Sequence, residues 1–422
     1  MFIFSLIYLV CTIIRPQDYM PALADVPLLP VFLILAFVAW SASSAKTLAA
    51  PQFIILPFFL LTLMISEVAN HWLGGALEQL KQFGPIAIAF VVLATALTVN
   101  RRRVSVTFGV FVLCAMVLAL HGVEQARYGV GWTGMTLGED GRIRYVGTFN
   151  DPNDLGLLFV AVLPMALYLS ARGAFLRRVF WLAGAALLLY GVYLTNSRGA
   201  LLAVLVIGGV YVWYRRGMVT AGVLSIVGLA AMKILSSRMN ELDADESSAA
   251  GRVDAWYEGM HMFLSQPLFG VGAGNFTEHN NLTAHNSLVL VLAETGFVGF
   301  TLWLAFVGYC FWMMAAMLRY QPAPTEGGVE HSLDWAAEKE LALTLLLSLC
   351  GMFAAAFFLS RSYNSILYLL MAVVVGHYVG ARRRFPGLRA FSLFDAWWRW
   401  LVVSVIAIVA LFVIVTVLLR TS

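Results

Sequence analysis

Three residues in this chain have the type and the setting to do chemistry. His285 stands in Thr283-Ala284-His285-Asn286-Ser287, where a polar stretch enters a long apolar segment. A neutral imidazole, with a pKa near about 6.5, can take a proton from a hydroxyl at such a boundary. The plain alternative is a structural histidine. Arg198 lies in Thr195-Asn196-Ser197-Arg198-Gly199-Ala200, between two apolar runs with almost no loop. A charge at membrane depth is costly and marks a cavity or pathway, unless the side chain snorkels to headgroups from a helix end. Arg252 opens Gly251-Arg252-Val253-Asp254-Ala255-Trp256. In a first helical turn, where free backbone N–H groups also favour anions, it could grip a phosphate or diphosphate bidentately. It could equally anchor the helix to headgroups.

Glu294 follows His285 by about 900° of helix, so the two face opposite ways if that helix is unbroken. Glu294 is expected to hold a break at Thr295-Gly296, not to orient the histidine. Arg15 and Asp18 in a first loop, Asn150, Asp151, Asn153 and Asp154 before an apolar run, Asn286, and Arg361 in a tight loop could line the same site or serve the fold alone. Other motifs carry less. Gly270-Val271-Gly272-Ala273-Gly274 imitates a nucleotide-binding glycine loop but follows no strand and precedes no expected helix. Asp243-Ala244-Asp245 imitates a metal-binding pair and reads as a solvated loop. His261, His279 and His285 lack zinc-site spacing, so neither a metal nor a cofactor is expected.

These residues need a membrane scaffold, and the composition supplies one. The 422 residues are 61% hydrophobic and 12% charged, with mean hydropathy +0.84, against about 25% charged in soluble domains. Apolar runs long enough for a ~30 Å hydrocarbon core recur throughout. The expected fold is all-α, a polytopic transmembrane bundle of about 12–13 spans: 2–14, 26–43, 51–69, 83–99, 104–122, 154–171, 179–195, 199–214, 217–235, 285–318, 340–360, 363–380 and 397–419. The first run has no basic flank and reads as a retained helix, not a cleaved signal. Cys11, Cys114, Cys310 and Cys350 all lie in apolar runs and read as buried hydrophobes.

If the spans alternate, Arg101–Arg103, Arg172/Arg177/Arg178, Arg215/Arg216 and Arg382–Arg384 share one side. That side carries 16 basic and 6 acidic residues, the other 11 and 17. Short cytoplasmic loops collect Lys and Arg, so the N-terminus is expected inside, with the C-terminus and His285 outside. The chain reads as one integral membrane domain, 1–422, with a large outer loop at 236–284 that carries short amphipathic helices. After caps at Ser247 and Ser248, Val253, Trp256, Tyr257, Met260, Phe263 and Leu264 share one helical face, expected to lie in the membrane interface. Asp254, Glu258 and His261 lie opposite. The segment 321–331 reads as a cytoplasmic linker, and no internal repeat or nucleic-acid module is present.

Taken in order, the outer-face Ser197-Arg198-Gly199, the Gly251-Arg252…Trp256 opening of a large outer loop, Leu268-Phe269-Gly270, and His285-Asn286-Ser287…Glu294…Gly296 resemble the O-antigen ligase and Wzy-type polymerase superfamily. Ile14-Arg15-Pro16-Gln17-Asp18-Tyr19 and 147–154 also look like the branch of O-glycosylation ligases that accompany exosortase systems. The resemblance implies a glycosyltransferase-type ligase in a bacterial inner membrane, with its active site facing the periplasm. It would transfer a glycan from undecaprenyl diphosphate to an acceptor hydroxyl, metal-independently and with inversion. Arg198 and Arg252 would hold the diphosphate, and His285 would be the base. The acceptor would be a lipid A core, a second lipid-linked glycan (as in a Wzy-type polymerase) or a protein, within a setting of membrane lipids. A non-enzymatic transporter or flippase of lipid-linked glycans is the competing class. It should show inverted repeats and midplane polar groups, which are not evident here.

Overall fold

The computed structural model describes residues 1–44, 46–138, 140–239, 246–322, 328–394 and 397–421. Its helices are α1 (Phe2–Ile14), α2 (Leu28–Ser41), α3 (Gln52–Ala69), α4 (Leu73–Leu97), α5 (Arg101–Tyr128), α6 (Pro152–Ser170), α7 (Phe175–Leu194), α8 (Arg198–Arg216), α9 (Met218–Met239), α10 (Glu246–Ser265), α11 (Phe276–His279), α12 (Ser287–Arg319), α13 (Gly328–Ala356), α14 (Ser365–Arg384) and α15 (Trp397–Thr421). Ten of them, α3–α8 and α12–α15, are long and apolar enough to cross a membrane. The other expected spans correspond to α1, α2 and α9, whose apolar stretches are shorter. This is an all-α polytopic bundle. The Asp243-Ala244-Asp245 stretch and part of the 321–331 linker lie outside the described residues.

Helix α14 forms the centre. Its residues 366–381 are buried without interruption, and it packs on α4, α12, α13 and α5. Gly376 and Gly380 allow the close approach to α4, since a Cβ at either would press on the Ala94 or Thr98 backbone. Small residues serve that purpose wherever lipid supplies no hydrophobic drive between helices.

Alternation of the spans sorts the loops. One end of the bundle carries the basic clusters, stitched together by Arg384 on buried Glu338 (2.9 Å), Arg101 on Asp334 (2.6 Å) and Arg172 on Glu340. The other end gathers the turns after α1, α3, α5, α7 and α13 and the approach to α12. Polar caps begin the helices there. Asp151 accepts from the Asn153 N–H (2.7 Å), Ser197 from Ala200 (3.3 Å), Asn286 from Leu288 (2.9 Å) and Asn364 from Ile366 (2.9 Å). Each fills one of the orphan donors of a helix N-terminus.

Helix α12 breaks where expected, with Gly296 at φ 61°, ψ −162°. The glycine run repairs the break. Val271 donates to the Ala293 carbonyl (3.0 Å), Gly272 to Glu294 (3.2 Å), and Phe297 and Val298 return bonds to Pro267 (2.8 Å) and Leu268 (3.2 Å). Ser66 of α3 adds a bond to the Glu294 carbonyl (2.6 Å). A four-residue helix, α11, does follow the run, contrary to expectation, because the loop turns to deliver the Phe276 N–H to the Glu294 carboxylate (3.3 Å).

The amphipathic helix α10 needs a correction. Its Trp256, Met260 and Phe263 are buried in the protein, while Tyr257 and Leu264 are exposed. Trp256 meets Phe357 edge-on at 5.8 Å, and Gly259 lets α10 close on Val289 of α12. The aromatic face therefore packs on the bundle, and only its flank is left to lipid.

Candidate active site

His285 sits at the polar end, immediately before the Asn286 cap of α12, at φ 45°. Non-glycine residues avoid this left-handed region, and holding one there costs about 1–3 kcal/mol, so it persists only where the surroundings enforce it. The surroundings do. Thr283 and Ser360 share a hydrogen bond (2.8 Å), and the Ser287 hydroxyl lies 2.6 Å from the Leu359 carbonyl while accepting from the Arg361 N–H (3.1 Å). Ser362 donates to the Ser287 carbonyl (2.7 Å). The turn after α13 is thus sewn to the segment that carries the histidine. The half-buried imidazole has its pKa lowered, first by burial and then by the charge of Arg252, with Asp151 opposing. Both influences favour the neutral ring over the charged one.

Arg198 is the first residue of α8 and exposed. A cation there works against the helix dipole, so helix stability does not account for its position. The residue before its Ser197 cap, Asn196, also has a left-handed backbone (φ 49°). Half-buried Arg252 approaches from α10. Burial lowers its pKa first, then the nearby charges of Arg142 and Arg198, and Asp151 offsets part of this. Several guanidiniums crowded around one carboxylate make an electropositive recess suited to an anion of more than one charge.

Asp154, in the first turn of α6, is buried and pairs bidentately with Arg361, whose second contact measures 2.6 Å. Asn153 accepts from Arg142 (2.8 Å) and donates to Asp151 (3.0 Å). Arg15 and Asp18 pair at 2.5 Å, and Arg15 lies over Gly147, where a Cβ would overlap its guanidinium. Between these groups opens a cleft of about 870 Å³ lined by Arg142, Thr148, Asn150, Asp151, Arg361 and Tyr363 among others.

Of the residues expected from sequence, Arg198, Arg252, His285 and Asp151 lie within reach of one another's charges, Asn150, Asp151, Asn153, Asp154 and Arg361 line the cleft, and Arg15, paired with Asp18, lies against Gly147 of its wall. Asn286 contributes its carbonyl oxygen to the α12 cap. Glu294 serves the helix break. Arg142 is a site residue that sequence reasoning passes over. Its signal is the pair of basic residues Arg142 and Arg144 just before the Asn-Asp-Pro-Asn-Asp stretch at 150–154. Glu67 is likewise missed, a fully buried carboxylate near the end of α3 that accepts from Gln79 (3.3 Å) and Asn275 (3.2 Å) beneath the glycine run. Among the described residues no three His, Cys, Asp or Glu side chains gather as they would around a metal ion.

Residues 183–304 match the family model Wzy_C, described as O-antigen ligase. The matched segment runs from within α7 into α12 and contains Arg198, Arg252 and His285. No curated protein matches the chain. Fold and match together support an O-antigen ligase/polymerase-type membrane enzyme. The match supports the likeness to the O-antigen ligase and Wzy-type polymerase superfamily that the motifs carry, over the segment from α7 into α12.

Proposed function

We propose that the protein transfers a glycan from undecaprenyl diphosphate to an acceptor hydroxyl on the periplasmic face of a bacterial inner membrane. One observation carries the reading: the half-buried imidazole of His285, its pKa lowered, feels the charge of Arg252, which in turn feels Arg142 and Arg198. His285 takes the proton of the acceptor hydroxyl as its oxygen bonds to the anomeric carbon. The bond from that carbon to the diphosphate breaks on the opposite side, so the anomeric centre inverts. Arg198 and Arg252 receive the negative charge that grows on the leaving diphosphate, and each charge-assisted hydrogen bond is worth about 1.5–3 kcal/mol. No nucleotide is needed, because the energy resides in the lipid diphosphate bond. The basic clusters at the far end of the bundle support a periplasmic site, and the resemblance supports metal independence.

The test is reconstitution in liposomes or nanodiscs with a defined undecaprenyl-diphosphate glycan and candidate acceptors, in the presence of chelator. Transfer is expected, with loss of at least about 100-fold in His285→Ala, the scale of general-base catalysis. Unchanged transfer by His285→Ala would sink the base assignment. Movement of the lipid across the bilayer without transfer would favour a transporter.

A further inference from the structure

The cleft beside the arginine recess differs from it in chemistry. The charges on its wall are spent on the protein. Arg361 is paired with Asp154, and Arg142 is bonded to Thr195, Asn153 and Asp140. The groups left open are mainly neutral. Asp151 uses Oδ1 on Asn153 and keeps Oδ2. Asn364 uses its carbonyl oxygen on Ile366 and keeps its NH2. Thr148 and Asn150 are exposed, and with Ser365 they line the same space.

We infer that this cleft is a saccharide subsite that seats the sugar rings next to the bond being made, with Thr148, Asn150, Asp151, Asn364 and Ser365 bonding their hydroxyls. This rests on the glycan-transfer reading above. A sugar hydroxyl donates one bond and accepts two, so a lining of amide, hydroxyl and a single carboxylate oxygen matches neighbouring hydroxyls in a way an arginine fork does not. The volume, about 870 Å³, lies within the ~300–1,000 Å³ of small-molecule sites and gives more room than a diphosphate requires. Several lining residues begin α6 and α14 and are fixed by the capping bonds, so little order must be created on binding. An extended peptide would need a strand edge or apolar side-chain pockets. Among the described lining residues only Pro152 and Tyr363 offer much apolar surface.

The test compares wild type with Asn150→Ala, Thr148→Val and the double variant. Both side chains are exposed and bonded to nothing in the protein, so folding is expected to be untouched. Binding is measured in nanodiscs with undecaprenyl diphosphate carrying a glycan and with bare undecaprenyl diphosphate, and KM is measured for donor and acceptor. Loss of two hydrogen bonds is expected to weaken the glycan-dependent step roughly tenfold in the double variant and to leave bare-carrier binding unchanged. A rise in donor KM alone assigns the subsite to donor sugars, and a rise in acceptor KM alone assigns it to acceptor sugars. The inference is overturned if neither moves, if bare carrier is weakened equally, or if a serine or threonine peptide acceptor is affected as strongly as a saccharide. A wild type that binds the glycan carrier selectively yet transfers nothing removes the proposed function and leaves the subsite. A double variant indistinguishable from a transferring wild type does the reverse.

Discussion

The Arg142 guanidinium donates through Nε to the Thr195 carbonyl at 2.7 Å and through Nη2 to the Asn153 side-chain oxygen at 2.8 Å. It therefore ties the turn that carries Arg198 to the start of α6. Lysine has one donor centre where arginine has a planar fork, so Arg142→Lys cannot span both acceptors. On the proposed reading, Arg142→Lys and Arg142→Gln should both raise donor KM, by about tenfold, with a smaller change in kcat. Combined with Arg198→Ala, the losses should fall short of additive, because both act through the position of one side chain. Full additivity in the double-mutant cycle would show that Arg142 acts independently of Arg198.

His285 and Arg252 are coupled by charge. A lowered imidazole pKa means that the basic form persists below the ordinary value of about 6.5. Activity should therefore hold at mildly acidic pH and fall only as the pH passes through the lowered value. Arg252→Gln removes the largest of the charges that lower it, burial and Arg361 remaining, so the acid limb of kcat/KM should move upward in pH toward the ordinary imidazole range. A profile measured on purified wild type and variant checks this. An acid limb that stays in place, or moves down, would contradict the coupling.

The Asp154–Arg361 pair is chiefly a fastening. Removing one partner of a buried pair strands the other and costs about 3–5 kcal/mol. Asp154 is 1% exposed but Arg361 keeps 34%, so Asp154→Ala should fall toward the low end of that range, read as a lower unfolding midpoint in detergent. The turn it secures also buttresses His285 through Ser287, so kcat should fall further than the loss of folded protein explains. Arg361→Gln in the Asp154→Ala background should cost less than Arg361→Gln alone. Equal losses in the two backgrounds would mean the pair is not coupled.

Much of this was legible in the chain, and the limits have physical causes. Apolar run length marks helices that cross a membrane, so ten of the expected spans are helices of that length, while those at α1, α2 and α9 are helical but shorter in their apolar stretch. The three candidates Arg198, Arg252 and His285 stand out because charge and imidazole are costly next to lipid. Periodicity could not tell which neighbour the apolar face of α10 would meet, since a bundle and a membrane reward the same surface. Trp256 therefore went to Phe357 and not to lipid. Arg142 was hidden for another reason. Its partners Thr195 and Asn153 are brought to it only by the folding of α6 against α7, and no local spacing announces such a meeting. The role of Gly270-Val271-Gly272-Ala273-Gly274 needed the structure as well, because its partner is the backbone of a helix broken at Gly296.

That last pairing makes a graded prediction. Gly270, Gly272 and Gly274 all have positive φ, at 71°, 109° and 91°, so any side chain there carries backbone strain, of the order of about 1–3 kcal/mol. Space separates them. A Cβ on Gly270 would run into the Ala293 and Glu294 backbone, and backbone in the kink of α12 cannot swing aside as a side chain can. A Cβ on Gly274 would meet only the Gln79 amide, at an ordinary 3.7 Å. Gly274→Ala should therefore show the strain alone. Gly270→Ala should add the loss of the bonds from Val271 and Gly272 that close the break, and so unfold at a distinctly lower temperature. Thermal unfolding in one detergent ranks the two variants. Equal midpoints would mean that the glycine run does not brace α12.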